Sequence, residues 1–267
     1  MGDREKLLAA YDADLRTEAE VAGALDVHRI GPLWLATFTG GRGFISYRDL
    51  EGSTPEGIER LVSAAVAHYL AAPAVREVEW KTRGHDHAPG LHDALVRHGF
   101  VPGESESIMI GEAQALAVDV PLPPGVTLRR VTEAEEIRAA VTMQDEVFGR
   151  SGPDTEAHVA ELIERQAHGE DFELWVAEAE GRIVTAGRLS PVPGTLFAGI
   201  WGGATRTEWR GRGIYRALTA ERARSALARG LVYIHSDSTE YSRPILERSG
   251  FLKVSTTTPY EWHRPAS

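Results

Sequence analysis

The sequence predicts a mixed α/β (α+β) fold of two similar units, each a mostly antiparallel mixed sheet flanked by helices. Short strands and amphipathic helices alternate along the chain, and a similar order of elements occurs in both halves. The predicted units are residues 1–118 and 119–267, joined by a linker over residues 111–125 that contains three prolines, which central helices and strands exclude.

Length and composition limit the classes of function. The 267 residues are enough for two domains, and 42% hydrophobic with 25% charged residues is typical of folded proteins. No run of about 18 apolar residues and no secretory signal is present, so we expect no membrane partner and a cytoplasmic location. The chain has no cysteine, which excludes disulfides and acyl-cysteine intermediates. A formal charge of −10 disfavours binding to nucleic acid.

The second half predicts a regular series of elements. Thr132 is expected to cap a helix, and Glu180 with Gly181 forms the turn of a hairpin. A glycine-rich turn then opens a helix that ends at Gly230. The predicted strands cover residues 126–131, 172–179, 183–189, 196–205 and 231–236, and after a short helix at 241–249 one or two final strands follow.

The first half carries part of the same series. A hairpin at residues 33–47 is followed by a helix that begins at Thr54 and Pro55. An additional amphipathic helix precedes it, with Leu8, Tyr11, Leu15 and Ala22 on one face. A shift of 151 residues aligns the two halves and indicates an internal repeat. It places Asp86 on Asp237, Leu95 on Leu246, Arg97 on Arg248, Gly99 on Gly250 and Phe100 on Phe251.

The turn at residues 210–215 is a candidate phosphate-binding site. Glycines at 211 and 213 let the main chain approach phosphate oxygens, and the start of the following helix exposes several amides. Arg210, Arg212 and Arg216 add positive charge. The alternative is a surface helix start with solvated arginines. Neither the P-loop pattern nor a complete dinucleotide fingerprint is present.

This turn resembles the signature of the GNAT (GCN5-related N-acetyltransferase) family, in which Arg or Gln precedes a glycine by three residues, here Arg210 and Gly213. The second half follows the GNAT order of elements over about 140 residues. The resemblance implies acetyl-CoA as the acyl donor, without a metal, and an amine of a small molecule or peptide as the acceptor, which attacks the thioester directly. The cofactor-binding residues that it implies are Gly203, Ala204, Thr205, Arg210, Gly211, Arg212, Gly213, Ile214, Tyr215 and Arg216.

The first half resembles a degenerate unit of the same family. The sequence LEGSTPEG replaces the signature there, without an arginine. We therefore predict that this half does not bind a diphosphate, and its role as a substrate-covering or interaction domain is left open.

The second half departs from the family at two places. Tyr215 replaces the last small residue of the signature. The general-acid tyrosine that many members place four residues before the Gly-Phe pair is Leu246 here, and their preceding asparagine is Thr239. A noncatalytic acyl-CoA-binding or sensing module is therefore the alternative function.

Other residues are candidates for the missing chemistry. Tyr241 is the nearest phenol that could act as an acid, and His235, Asp237 and Glu208 are candidate bases beside an equally plausible chain of waters.

The sequence leaves open whether the protein forms a homodimer. Several conspicuous residues have simpler interpretations than a role in catalysis. The histidine-rich run matches no closed metal site and predicts a solvated loop and helix face. Of the tryptophans, Trp201 and Trp262 could line an acceptor pocket, whereas the rest are expected to pack. The histidine-rich run consists of His85, Asp86, His87, His92 and His98, and the other tryptophans include Trp175 and Trp209. A solvated helix face is predicted for Arg222, Arg224 and Arg229.

Overall fold

The chain forms one mixed sheet with helices on its faces, described by a computed structural model for residues 2–50 and 52–265. The twelve strands are β1 (Asp26–Ile30), β2 (Leu33–Phe38), β3 (Arg42–Tyr47), β4 (Glu77–Arg83), β5 (Val101–Pro102), β6 (Glu106–Glu112), β7 (Thr127–Val131), β8 (Glu173–Ala179), β9 (Arg182–Pro191), β10 (Phe197–Thr205), β11 (Tyr233–Ser238) and β12 (Leu252–His263). The α-helices are α1 (Asp3–Asp14), α2 (Pro55–Leu70), α3 (Leu91–Arg97), α4 (Ala113–Leu116), α5 (Ala134–Phe148), α6 (Pro153–Ala167), α7 (Ile214–Ala228) and α8 (Arg243–Ser249). Short 3-10 helices occur at Glu18–Val21, Thr39–Gly41 and Thr207–Trp209.

The sheet has the order β1-β2-β3-β4-β12-β6-β11-β10-β9-β8-β7, with β5 paired to β12. Neighbouring strands are antiparallel except for β3 with β4 and β10 with β11. The predicted mixed α/β fold is confirmed. No helix in residues 2–50 and 52–265 combines the length and apolarity that a membrane span needs.

The two halves exchange their last strands in the middle of the sheet. Strand β6 belongs to the first half but pairs with β11, and β12 belongs to the second half but pairs with β4. The two exchanged strands also pair with each other, so that Ile110 lies opposite both His235 and Leu252. Each half therefore completes the sheet of the other, and the division at residues 118 and 119 stays a prediction about chain organisation.

The linker is shorter than predicted. Gly111 lies inside β6, and α4 occupies Ala113–Leu116, so the irregular connection begins only at Ala117. Gly111 takes part in the pairing of β6 with β11 although glycine has a weak strand propensity. Glycine is needed at this position because a Cβ would lie 2.9 Å from the side chain of Leu116.

The internal repeat is visible in how α3 and α8 end. The amide of Phe100 donates to the Leu95 carbonyl at 3.0 Å, and that of Phe251 donates to the Leu246 carbonyl at 3.1 Å. Gly99 and Gly250 have φ values of +86° and +109°, which residues other than glycine rarely adopt. The predicted start of α8 is two residues too early, because residues 239–242 form a turn before Arg243.

Two further sequence expectations are corrected. Helix α5 has Glu133 at its N-cap, not Thr132. Arg222 is fully buried on the sheet-facing side of α7, where its Nη1 donates to the Arg188 carbonyl at 3.2 Å. Gly187 provides the space, since a Cβ there would lie 2.7 Å from that nitrogen. Arg224 and Arg229 stay partly exposed and form ion pairs.

The strand exchange predicts that residues 119–267 do not fold alone. That fragment lacks β6, which leaves β11 and β12 without their shared neighbour. It also lacks Met109 of β6, so the core residues that pack against Met109 would be exposed to solvent. We expect no cooperative thermal transition for the fragment by circular dichroism, and recovery of the transition when residues 1–118 are added. A fragment that melts cooperatively at the temperature of the full chain would contradict this expectation.

Candidate functional site

A large opening lies where two parallel strands separate. Strands β10 and β11 pair only at Phe197, Ala198 and Gly199, and beyond the Gly199–His235 pair they diverge. A cleft of about 950 Å³ lies in the gap, within the usual range of small-molecule sites. All ten predicted cofactor-binding residues line this cleft.

A β-bulge interrupts the pairing of β10 with β9 just beyond the point where β10 leaves β11. The register of β10 against β9 shifts between Trp201 and Ala204, and Gly202 has a φ of +63°. The Gln144 side chain donates to the Gly202 carbonyl and holds the bulge in place. Because a bulge leaves main-chain groups without a ladder partner, the β10 wall can offer amides to a bound carbonyl oxygen.

Tyr215 packs against the bulge and not against the turn. A Cβ on Gly203 would lie 2.5 Å from the Tyr215 hydroxyl oxygen, so this close packing requires glycine. The tyrosine at the unusual signature position therefore points along the cleft wall, away from the turn that precedes it.

The turn before α7 presents a row of unpaired amides. Gly211 and Gly213 have φ values of +74° and +80°, and the first helical hydrogen bond runs from the Ala217 amide to the Gly213 carbonyl at 3.0 Å. Among the described residues, no backbone carbonyl accepts from the amides of 211–216. These amides lie at the positive end of the α7 dipole, an arrangement that binds anionic oxygens.

The three arginines of the turn have different roles. Arg210 donates from Nε to the Thr205 carbonyl at 3.0 Å and so ties the turn to the end of β10. The Arg212 guanidinium lies 4.6 Å from the Trp209 ring centroid, and Arg216 is exposed. Positive charge thus surrounds the free amides, while one of the arginines holds the turn.

On the opposite wall of the cleft, Asp237 forms an ion pair with Lys81 of the first half of the chain. Lys81 Nζ on β4 lies 2.6 Å from Asp237 Oδ2 on β11 and 3.7 Å from Glu20 Oε1. Arg83 and Ser46 also donate to Glu20. All four charged side chains are largely buried.

The charges of this network determine its protonation. Burial by itself raises the pKa of Asp237, but the attraction and hydrogen bond of Lys81, together with Arg83, hold that pKa below its usual value. Burial likewise raises the pKa of Glu20, but Arg83 and Lys81 lower it more, so the net pKa of Glu20 is also lowered. Asp237 is therefore ionised, and its Oδ1 is buried without a hydrogen-bond partner in the described structure.

Comparison with known proteins agrees with this geometry. The acetyltransferase (GNAT) family profile matches residues 138–251. Residues 138–251 are a GNAT domain. No curated protein has a matching sequence.

Solved structures share the fold over nearly the whole chain. A GCN5-related N-acetyltransferase from Kribbella flavida is 17% identical, with a TM-score of 0.69, 100% of this chain and 97% of that one covered. A functionally unknown conserved protein from Staphylococcus epidermidis is 12% identical with a TM-score of 0.67, covering 93% and 98%. A tandem GNAT protein from the clavulanic acid biosynthesis pathway is 14% identical with a TM-score of 0.64, covering 99% and 97%. The similarity supports the tandem arrangement of two GNAT-like halves.

The GNAT domain lacks a phenol at the usual helix position. Leu246 and Thr239, which stand in place of the family's tyrosine and asparagine, both line the cleft. Tyr241 also lines it, but its side chain is 90% exposed just before α8. The Tyr241 phenol is thus held by few contacts.

The three predicted bases have different positions in the structure. Asp237 lines the cleft, whereas His235 and Glu208 do not. His235 is buried against Trp201, with ring centroids 5.3 Å apart, and burial lowers its pKa to about 4. Glu208 is exposed in the 3-10 turn before Arg210.

The remaining conspicuous residues are mostly structural. Trp201 and Trp209 line the cleft, Trp262 is buried in the core of the first half, and Trp175 donates to Glu173. His87 and His92 are exposed and His98 is half-buried. The prediction of a solvated run is wrong for Asp86, whose side chain is buried in an ion pair with Arg16 at 2.6 Å. No group of three potential metal ligands occurs within residues 2–50 and 52–265.

Sequence reasoning missed the residues that reach the site from elsewhere. Lys81 and Glu20 belong to the first half, and Gln144 lies on α5. The only signal was the placement of two cations, Lys81 and Arg83, on one face of a predicted strand. Their partner Asp237 depends on the exchanged strands, which periodicity does not specify.

Removal of Lys81 tests the buried network. Lys81→Met leaves Asp237 without its cation, and we expect a loss of about 3–5 kcal/mol in the free energy of unfolding at neutral pH. A carboxylate with a lowered folded pKa contributes stability above its unfolded pKa, and this contribution is lost as the pH falls through the folded pKa. Without Lys81 burial raises the pKa of Asp237, so the loss of stability should shift from its full size at neutral pH to a smaller one as the pH falls through the folded pKa of the unmodified protein.

Denaturant unfolding across a pH series measures this shift. Lys6→Met is the control, because Lys6 is exposed and its ion pair at 3.9 Å is solvated. Asp237→Asn in the Lys81→Met background should restore part of the loss. Equal stability of Lys81→Met and Lys6→Met would show that the network contributes nothing.

Gly203→Ala tests the packing of Tyr215 on the bulge. The added methyl group collides with the phenol ring, and we expect about 1–3 kcal/mol of destabilisation. Combination with Tyr215→Ala removes the collision, so the double variant should be more stable than the sum of the single effects. Strict additivity in thermal unfolding would place Tyr215 elsewhere.

Proposed function

We propose that this protein is an N-acetyltransferase that moves an acetyl group from acetyl-CoA to an amine of a small molecule or peptide. The observation that carries the proposal is the row of free amides at 211–216, which opens into the cleft between β10 and β11. Membership of an acetyltransferase family supports the general reaction, and the choice of an amine acceptor is our inference.

The residues around the cleft are suited to acetyl-CoA. The amides of 211–216 would hold the diphosphate, and the exposed guanidiniums of Arg212 and Arg216 would add charge. No protein atom would meet a Cβ on Gly211 within 4 Å, so space is available on the side that a phosphate approaches. The separated strands would take the pantetheine arm, and the bulge at Gly203 and Ala204 would polarise the thioester carbonyl.

The reaction needs no covalent enzyme intermediate. A neutral amine attacks the carbonyl carbon, the C–N bond forms, the C–S bond breaks, and the proton of the nitrogen passes to the thiolate or to water. A thiolate with a conjugate-acid pKa near 8.5 leaves without obligatory protonation, which fits the leucine at 246. The ionised Asp237 is suited to hold the ammonium form of the acceptor, from which water removes the first proton.

A noncatalytic acyl-CoA-binding module is the second candidate. Leu246 and Thr239 favour it, because the cleft lacks the acid that many relatives have. Thiol release from acetyl-CoA in the presence of an amine panel distinguishes the two functions. Tight CoA binding without acceptor-dependent thiol release would favour the binding module.

The first half supports the second without a donor site of its own. The α2 N-terminus corresponds to the phosphate turn, but Thr54 Oγ1 there already accepts from the Gly57 amide at 3.2 Å, and Glu56 brings negative charge. We therefore infer that residues 1–118 act by completing the sheet and by supplying Lys81. A cytoplasmic location and a homodimer stay predictions.

Gly213→Val tests the donor site. Valine does not adopt the φ of +80° at this position, so the turn must change shape. We expect CoA affinity in calorimetry to fall by at least about tenfold, since the misplaced amides lose charge-assisted hydrogen bonds. Arg182→Ala, at an exposed position of β9, is the control and should bind normally. Unchanged affinity in Gly213→Val, with the fold intact by circular dichroism, would exclude this turn as the diphosphate site.

A further inference from the structure

A second cavity, of about 320 Å³, lies beside the bulge on the side of α5 and α6. It shares Phe148, Trp201 and Gly202 with the large cleft, so the two spaces meet at the point where the donor's acyl end is proposed to lie. Leu162 and Leu174 form apolar walls. The volume suits one small ligand group.

Two of the basic side chains in this cavity, Arg150 and His158, share one buried carboxylate. Asp145 is fully buried, with its Oδ1 2.7 Å from Arg150 Nη2 and 3.2 Å from His158 Nδ1. These hydrogen bonds outweigh burial and hold the pKa of Asp145 below its usual value. The ionised aspartate therefore balances the charge of Arg150.

Arg188, the third basic side chain of the cavity, is part of no ion pair among the described residues. No described carboxylate lies within 4 Å of its guanidinium, and its Nε is buried without a hydrogen-bond partner. Glu170 and Glu161 attract its charge from beyond contact distance, but both are engaged by Arg165, which bonds Glu170 through Nε at 2.6 Å and Glu161 at 3.4 Å. Burial lowers the pKa of Arg188 to about 10, which means that the surroundings disfavour its charge.

We propose that the small cavity binds the carboxylate of the acceptor through Arg188, so that the acceptor is an amine that also carries a carboxylate group. This inference rests on the proposed acetyl transfer and names its substrate class. A planar guanidinium offers paired donors that match a carboxylate, and the bound anion would supply the missing counter-ion.

The position of Arg188 supports an acceptor of short reach. Arg188 on β9 is the cross-strand partner of Trp201 on β10, the last paired residue before the bulge. The Phe172 ring centroid lies 6.0 Å from the guanidinium carbon and fixes the group from one side. A carboxylate held here leaves the amine of the same molecule directed towards Gly202 and the large cleft.

Matched pairs of acceptors test the proposal with the full-length chain. Leucine and phenylalanine are compared with isoamylamine and phenethylamine, which lack only the carboxylate, and phosphoethanolamine represents a phosphate-bearing amine. We expect kcat/KM for thiol release to be at least about tenfold higher with the carboxylate partner. Arg188→Gln should raise the KM for the amino acids by about 10- to 100-fold and leave the rates with the plain amines within about threefold.

Variants separate recognition from structure. Arg188→Lys keeps the charge without the paired donors and should recover part of the loss. Arg138→Gln removes an exposed arginine paired to Glu156 at 2.6 Å outside the cavity and should behave as the unmodified chain. Preference for the plain amines or for phosphoethanolamine, or an equal loss of both amine classes in Arg188→Gln, would overturn the proposal.

A binding measurement distinguishes this inference from the proposed function. Calorimetry with N-acetylleucine and N-acetylphenylalanine, compared with the acetylated plain amines, reports on the cavity whether or not turnover occurs. Carboxylate binding that disappears in Arg188→Gln, without turnover of any amine, would retain the anion site and reject the catalytic function. Absence of carboxylate-dependent binding in the unmodified chain would reject the anion site itself.

Discussion

The separation of β10 from β11 is the constraint on which the rest of the site depends. Parallel strands that paired along their full length would leave no gap for a ligand arm. The pairing of β10 with β11 ends after three residue pairs, and the bulge at Gly202 and Gly203 against β9 follows directly. Gln144 on one side and Tyr215 on the other hold this backbone in place, so the cleft is a product of local packing and not of mobility.

The exchanged strands make the second half dependent on the first. Strand β6 supports β11 from the side opposite the cleft, and β4 supplies Lys81 to Asp237 across β12 and β6. A buried aspartate without this cation would pay a large desolvation penalty and take up a proton. The first half, although it has no phosphate turn of its own, therefore determines the charge at the wall of the cleft.

Much of the fold could be predicted from the sequence, because its signals are local. The helix after Thr54, the hairpin at Glu180 and Gly181, and the Gly-Phe ends of α3 and α8 each follow from capping, turn chemistry or periodicity. The turn at 210–215 could likewise be located from its glycines and arginine. The pairing of β6 with β11 could not, since both exchanged and unexchanged arrangements satisfy the same strand pattern. For the same reason Lys81 was missed, and Arg222 was assigned to solvent although the sheet buries it.

The charge distribution explains how an acidic protein can have sites for anions. At a formal charge of −10 the protein repels anionic ligands at long range, but interactions beyond about 8–10 Å are screened at physiological salt. Within that distance the large cleft presents Arg212, Arg216 and the free amides before α7, and the small cavity presents Arg188, with which no carboxylate of the described residues pairs. Asp237 is the carboxylate that lines the large cleft opposite these groups, and Lys81 occupies one of its oxygens. An acceptor with an ammonium at one end and a carboxylate at the other would match this order of charges, whereas a dianion would meet repulsion at Asp237.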